Sequence, residues 1–102
     1  MKIWLGAITN SDDILELIDQ SLPYFNGIIL TVDSKSEDSL INKFDQIQLR
    51  HSHFHYIVRP FSQAHDWRAN DWLHYGLIKS GDYVCIMDST DRFNMNFLTN
   101  LR

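Results

Sequence analysis

Cysteine, long apolar runs and excess positive charge are scarce or missing in this sequence of 102 residues. The single cysteine, Cys85, cannot form an internal disulfide, and its place in an apolar run favours a buried, inert thiol in a reducing compartment. No stretch approaches the roughly 20 apolar residues of a membrane span. The apolar start at residues 3–8 is too short for a signal peptide. We therefore expect a cytoplasmic protein with no membrane span.

The charge balance is acidic, with nine Lys and Arg against 13 Asp and Glu, a formal charge of -4 at pH 7 and an isoelectric point near 5.6. A protein that grips a nucleic acid backbone needs a basic face, so this class is disfavoured. Any anionic ligand needs local positive charge. The 44% hydrophobic and 22% charged residues are ordinary for a globular chain, and the length leaves room for one domain, residues 1–102.

Apolar runs of strand length alternate with stretches of helical period along the whole chain. The order predicts β-α-β-α-β-α-β-α, an α/β fold with a parallel sheet and helices on both faces. We expect strands over residues 3–8, 28–32, 54–58 and 83–87, and helices from about 14, from about 36, over 64–79 and over 94–101.

Acidic residues follow two of the expected strands at the point where each strand ends. Asp33 closes the run 28–32, whereas Asp88 and Asp91 close the run 83–87 with Ser89 and Thr90 between them. In an open parallel sheet the carboxyl ends of the strands border the crevice where ligands bind. We therefore expect Asp33 and Asp88 to face a common pocket.

Each of these acids has a functional and a structural interpretation. The carboxylate of Asp33 can accept a hydrogen bond from a base or a sugar hydroxyl, or it can serve a turn and cap the next helix. The spacing of Asp88 and Asp91 lets both approach one Mg²⁺ or Mn²⁺ ion, which prefers oxygen ligands and bridges to phosphates. The alternative is a turn followed by a capped helix.

The first turns of the third expected helix carry Arg68 and Asn70. Arg68 can bind a phosphate through its planar fork or pair with a neighbouring acid, and surface pairing is the more common case. Trp67 and Trp72 are expected to pack in the core rather than stack on a ligand.

Three alternating histidines, His51, His53 and His55, would point to one side of an extended segment and invite a zinc site. No cysteine lies near them, and three alternate ligands from one strand rarely give tetrahedral geometry. A solvated strand or loop is the better interpretation.

These elements, in this order, resemble the amino-terminal half of family-2 glycosyltransferases with the GT-A fold. The turn that begins at Asp33 resembles the one after that family's second strand, and Trp67-Arg68-Ala69-Asn70 resembles its Arg-Asn pair with one residue inserted. Residues 81–88 resemble the approach to its metal-binding Asp-x-Asp motif. The resemblance implies a Rossmann-like (GT-A) sheet, incomplete relative to a whole GT-A domain, and a nucleotide-sugar site that includes Thr9, Asp33, Arg68, Asn70 and Asp88.

The resemblance also implies a divalent metal, Mn²⁺ or Mg²⁺, held by Asp91, alone or with Asp88. Thr90 stands where the family has its usual metal-ligating aspartate, so only Asp91 could substitute for it. The family's acceptor site and catalytic base lie in a carboxyl-terminal portion beyond this sequence, and loss of the base would lower the rate roughly 10²–10⁴-fold. We expect that missing half, another chain or a second copy of this one to complete the sheet.

The expected function is that of a nucleotide-sugar-binding half of a glycosyltransferase, inactive as a fragment, with an unknown acceptor. The alternative is a non-catalytic interaction or assembly module that retains the scaffold. A phosphoryl-transfer domain is a weaker candidate, because the first strand ends in Thr9-Asn10 rather than an acid and no well-placed lysine follows a later strand.

Overall fold

The computed structural model describes residues 2–60 and 76–101. Every expected strand is present to within one residue at either end, and the second helix begins two residues later than expected. The elements in chain order are β1 (Ile3–Thr9), α1 (Ile14–Ser21), β2 (Gly27–Asp33), α2 (Asp38–Arg50), β3 (Phe54–Arg59), β4 (Tyr83–Asp88) and α3 (Met95–Asn100).

The four strands form one sheet in the order β3-β2-β1-β4, and all three neighbouring pairs are parallel. The α/β class with a parallel sheet is therefore confirmed. β2 is buried at all seven positions, which suits its β-branched run, since central strands of parallel sheets are covered on both faces. Because β1, β2 and β3 progress in one direction and β4 lies on the other side of β1, the strand order reverses between β1 and β4.

All three helices of the described ranges pack on the same face of the sheet. Each contributes apolar side chains spaced three or four residues apart, or a single buried leucine in α3, to one continuous core. The buried members of this core are Leu5, Ala7, Ile14, Leu17, Ile18, Phe25, Ile28, Leu30, Val32, Leu40, Phe44, Phe54 and Leu98.

The opposite face carries a smaller cluster built on Trp4 and Ile29, which Ile78 joins from the connection that precedes β4. The helix expected over residues 64–79 falls on this connection, and residues 64–75, with Trp67 and Trp72, lie outside the described residues. Its expected last turn is wrong, because residues 76–80 are not helical and Gly76 has a φ of +78°. A left-handed glycine ends a helix, so the helical pattern cannot continue to Lys79.

Helix α2 begins at Asp38 with Glu37 as its N-cap and without a side-chain cap. The three histidines do not alternate along one strand. His51 is the C-cap of α2, His53 lies in the following turn, and only His55 belongs to β3.

Cys85 is half-buried on β4, and this burial raises the pKa of its thiol, which fits the expected inert side chain. In the described ranges, no helix combines the length and the apolar character that crossing a membrane requires.

Candidate functional site

The carboxyl ends of β1, β2 and β4 lie side by side at one edge of the sheet, because these strands are parallel neighbours. Ile8 is level with both Thr31 and Asp88, so Asp33 lies two residues further along its own strand. Side chains two residues apart share a face, and Asp33 and Asp88 therefore leave the same face of the sheet. Their backbones are roughly 10 Å apart across the sheet and about 7 Å apart along the strands. An extended nucleoside diphosphate bridges such a separation.

Asp33 is buried, and only one of its two carboxylate oxygens has a hydrogen bond within the described residues. The side chain is 7% exposed, and its Oδ1 accepts a hydrogen bond from the backbone N–H of Lys35 at 3.0 Å. The carboxylate thus shapes the turn after β2, as the structural interpretation requires, but it does not cap α2, whose N-cap is Glu37. Within the part of the chain that the structure describes, Oδ2 of Asp33 has no hydrogen-bond partner.

Residues 88–91, which we call the acidic turn, are joined to each other by two hydrogen bonds. The Asp88 N–H donates to Oδ2 of Asp91 at 3.0 Å, and the Asp91 N–H donates back to the Asp88 carbonyl at 3.0 Å. A capped helix follows, since Asn94 accepts a hydrogen bond from the Asn96 N–H at the start of α3. The structural interpretation of a turn before a capped helix therefore holds. In the described ranges the Asp88 carboxylate itself has no hydrogen bond or ion pair, so it can still serve a ligand.

Thr9 is almost fully buried, and its hydroxyl is engaged locally. The Oγ1 atom donates to the Ser11 carbonyl at 2.9 Å and accepts from the Ser11 N–H at 3.3 Å. The residue thus shapes the loop between β1 and α1.

A groove of about 480 Å³, which we call the polar groove, lies between the loops that follow β1 and β2. Hydroxyl, amide and charged groups dominate its walls, so it suits a hydrophilic ligand. Neither Asp33 nor Asp88 lines it. The lining residues are Asn10, Ser11, Asp12, Lys35, Ser36, Glu37, Ser39, Leu40 and Lys43.

The polar groove has two cationic and two anionic side chains. Lys35 and Lys43 supply positive charge, against Asp12 and Glu37. Both α1 and α2 begin beside it without a side-chain cap, and the buried Oγ of Ser36 has no hydrogen-bond partner among the described residues. Polar atoms at this edge of the sheet are therefore still available for ligand contacts.

The sequence predicted Asp33 and Asp88 at the ends of their strands, but it did not predict the polar groove. Ser39 and Lys43 are four residues apart on α2, and this spacing puts them on one side of a helix beside the loop that carries Lys35. The sequence signal that could have revealed the groove is the start of α2, which follows the loop after β2. Arg68 and Asn70, the remaining expected donor-site residues, lie outside the described residues.

No group of three or more His, Cys, Asp or Glu side chains suited to a metal ion occurs in ranges 2–60 and 76–101. Asp88 and Asp91 form a smaller set, with both oxygens of Asp88 and Oδ1 of Asp91 without partners there. Mg²⁺ is commonly bound by one or two carboxylates, with substrate phosphates and water completing its shell. Two carboxylates are therefore fewer ligands than a cation held by the protein alone requires.

Comparison of the chain with protein-family models, with curated proteins and with solved structures gave no match.

Proposed function

We propose that the carboxyl edge of the sheet binds the nucleoside diphosphate of a sugar donor, as the donor-binding part of a glycosyltransferase of the family-2 type. The observation that carries the proposal is the placement of Asp33 and Asp88 on one sheet face, at the ends of the two strands that flank β1. Ligands of open α/β sheets bind where the strand order reverses, and here that point lies between β1 and β4.

Asp33 supplies the acceptor for the nucleoside. Its turn-forming hydrogen bond fixes the carboxylate and leaves Oδ2 for a base N–H or a ribose hydroxyl. An ionised carboxylate only accepts hydrogen bonds, which suits both groups. The burial of Asp33 strengthens such a bond, because competing water is excluded.

Asp88 and Asp91 supply the ligands for a divalent cation that would accompany the diphosphate. The cation would neutralise the diphosphate, and in a complete enzyme it would stabilise the negative charge that develops on this leaving group. Two carboxylates alone would repel a diphosphate, so the acidic turn supports the proposal only together with a cation. Lys35 on the loop after β2 adds positive charge near the same edge.

The direct experiment is calorimetry of the chain with UDP, GDP, CDP, ADP and TDP, each with and without Mn²⁺. We expect one of them to bind, and we expect Mn²⁺ to strengthen that binding. Asp33→Asn should weaken binding about tenfold with or without the metal, since hydrogen bonds to charged groups contribute roughly 1.5–3 kcal/mol. Asp88→Asn should instead remove the gain that Mn²⁺ gives.

Asp19→Asn is the matched control, because Asp19 is an exposed acid on α1 with no hydrogen bond or ion pair in the described ranges. It changes the net charge as the other two substitutions do and should leave every affinity unchanged. The donor-site proposal is wrong if no nucleoside diphosphate binds at millimolar concentration, or if all three variants weaken binding equally.

A non-catalytic interaction module is the second candidate, and exposed apolar side chains favour it. Tyr83 and Ile86 on β4 are 62% and 49% exposed. Apolar side chains along a strand at the border of the described sheet favour pairing with another chain. Absence of nucleotide binding together with specific association through β4 would support this function instead.

A further inference from the structure

Arg92 follows the acidic turn directly and connects it to the start of α1. Its Nη1 donates to the carbonyls of Ser89 at 2.8 Å and Asp91 at 2.6 Å, and both belong to the acidic turn. Its Nη2 donates to the Asp13 carbonyl at 2.8 Å and contacts the Glu16 carboxylate at 3.3 Å. One guanidinium group thus joins two segments that are more than 70 residues apart in sequence.

The next residue is held by α1 as well. The side-chain amide of Gln20 donates to the Phe93 carbonyl at 2.7 Å and accepts from the Phe93 N–H at 2.8 Å. The Phe93 ring lies 5.3 Å from that of Phe25, centroid to centroid, next to the main core. The segment after the acidic turn is therefore fixed along the length of α1.

We propose that Arg92 is a positioning residue that holds the acidic turn at the carboxyl edge of the sheet. It keeps the carboxylates of Asp88 and Asp91 in place for a cation and its diphosphate. This inference rests on the proposed function. Asp88 ends β4 and is fixed by the pairing of β4 with β1. Within the described residues only two internal hydrogen bonds tie the rest of the turn to Asp88, and they leave the orientation of Asp91 relative to β1 undetermined. The planar fork of arginine supplies that orientation, because its two nitrogens reach carbonyls on both sides at once.

The carbonyl contacts, and not the ion pair, carry this role. The Glu16 side chain is 79% exposed and its distance to Arg92 is the longest of the four, whereas the Arg92 side chain is 30% exposed. Exposed ion pairs contribute little to stability because water and salt screen them. Removing the Glu16 charge should therefore leave the turn in place, and removing the guanidinium should release it.

Arg92→Gln and Glu16→Gln separate these two contributions in two measurements. The first is hydrogen exchange of the Asp88, Asp91 and Phe93 amides by NMR, without nucleotide. The second is the factor by which Mn²⁺ strengthens binding of the nucleoside diphosphate that the wild type prefers. A substitution that merely lowered global stability would speed exchange throughout the sheet and leave the Mn²⁺ factor unchanged.

We expect Arg92→Gln to speed exchange at Asp88 and Asp91 about tenfold, with β2 unchanged, and to lower the Mn²⁺ factor about tenfold. Glu16→Gln should change both by less than about twofold. Arg92→Lys keeps the charge but cannot reach both sets of carbonyls, so it should resemble Arg92→Gln.

Three results overturn the inference: wild-type exchange in Arg92→Gln, equal effects of the Arg92 and Glu16 substitutions, or full recovery in Arg92→Lys. If the wild type binds no nucleoside diphosphate, the proposed function fails, and the exchange rates alone decide whether Arg92 orients the turn.

Discussion

Trp4 and Gly27 show how one small residue makes room for the largest one in this sheet. The indole of Trp4 lies over Gly27 on the neighbouring strand, and its Nε1 donates to Asp82 at 3.2 Å. A Cβ on residue 27 would lie 2.5 Å from Cε3 of the indole. Since Trp4 is 4% exposed and held by its hydrogen bond, the ring cannot move aside freely.

Gly27→Ala should therefore lower the free energy of unfolding by about 1–3 kcal/mol, the usual cost of overfilling a packed site. Urea denaturation measures this loss. The same substitution in a Trp4→Leu background should cost less, because the overlapping ring is gone. An equal cost in both backgrounds would show that the indole is not the cause.

Asp82 joins the beginnings of β1 and β4 through three donors. Its carboxylate accepts hydrogen bonds from the backbone N–H groups of Lys79 and Lys2, and from the Trp4 indole. These bonds, the one from Lys79 first, hold the pKa of the Asp82 carboxyl below its ordinary value of 3.8. The folded protein therefore favours the ionised form more than the unfolded chain does.

A depressed carboxyl pKa stabilises the fold above the unfolded-state pKa, and this contribution is lost as the pH falls below about 4. We expect the unfolding free energy of the wild type to fall more steeply with acidification than that of Asp82→Asn, whose neutral amide keeps an acceptor oxygen. Urea titrations between about pH 6 and pH 2.5 compare the slopes. Asp19→Asn should follow the wild type, and a parallel Asp82→Asn curve would contradict the prediction.

Among the secondary-structure elements, the strands were predictable because their burial leaves a continuous apolar signal. Residues 28–32 form a run rich in β-branched side chains, and β2 is buried at every position. The end of the third expected helix was not predictable in the same way. Leu77 and Ile78 keep an apolar helical spacing up to Lys79, but they are non-helical and serve the second core cluster. Periodicity reports burial, and here Ile78 is buried without being part of a helix.

The candidate site, too, was predictable from the sequence only in part. Acids at the ends of strands could be located from the sequence, because strand ends and polar residues are local features. The polar groove brings Asn10 and Lys43 together from different elements, and Arg92 bonds to Asp13 across the fold. Such contacts depend on which strands are neighbours, and one sequence alone does not specify that order.

Helix α3 is short and depends on the residue that caps its start, Asn94. Asn94 Oδ1 accepts the Asn96 N–H at 2.8 Å, and the helix places Leu98 in the main core. Asn94→Ala should cost about 1 kcal/mol of unfolding free energy, because an amide at the helix start loses its partner. Asn94→Asp should retain most of the stability. Asn96→Ala is the control, since its exposed side chain has no described contact, and a similar loss in both alanine variants would argue against the cap.

At the scale of the whole molecule, β4 lies at the border of the described sheet. Within residues 2–60 and 76–101 it pairs with β1 and with no other strand. Tyr83 and Ile86 expose apolar side chains on its two faces, and Met95 and Phe97 of α3 are 52% and 45% exposed. An unpaired, apolar strand edge is a template for another chain. A second copy of this chain can be that partner, because it is present in every solution of the protein.

We therefore expect sedimentation velocity to show species heavier than the 12.0 kDa monomer as the concentration rises. Ile86→Lys should suppress them, because a charge on an edge strand opposes pairing with another sheet. Leu49→Lys is the matched control: Leu49 is 87% exposed on α2, away from β4, and its substitution alters apolar area and charge in the same way. Equal suppression by both substitutions would indicate general charge repulsion. A monomer at every concentration would mean that the β4 edge does not recruit a second copy.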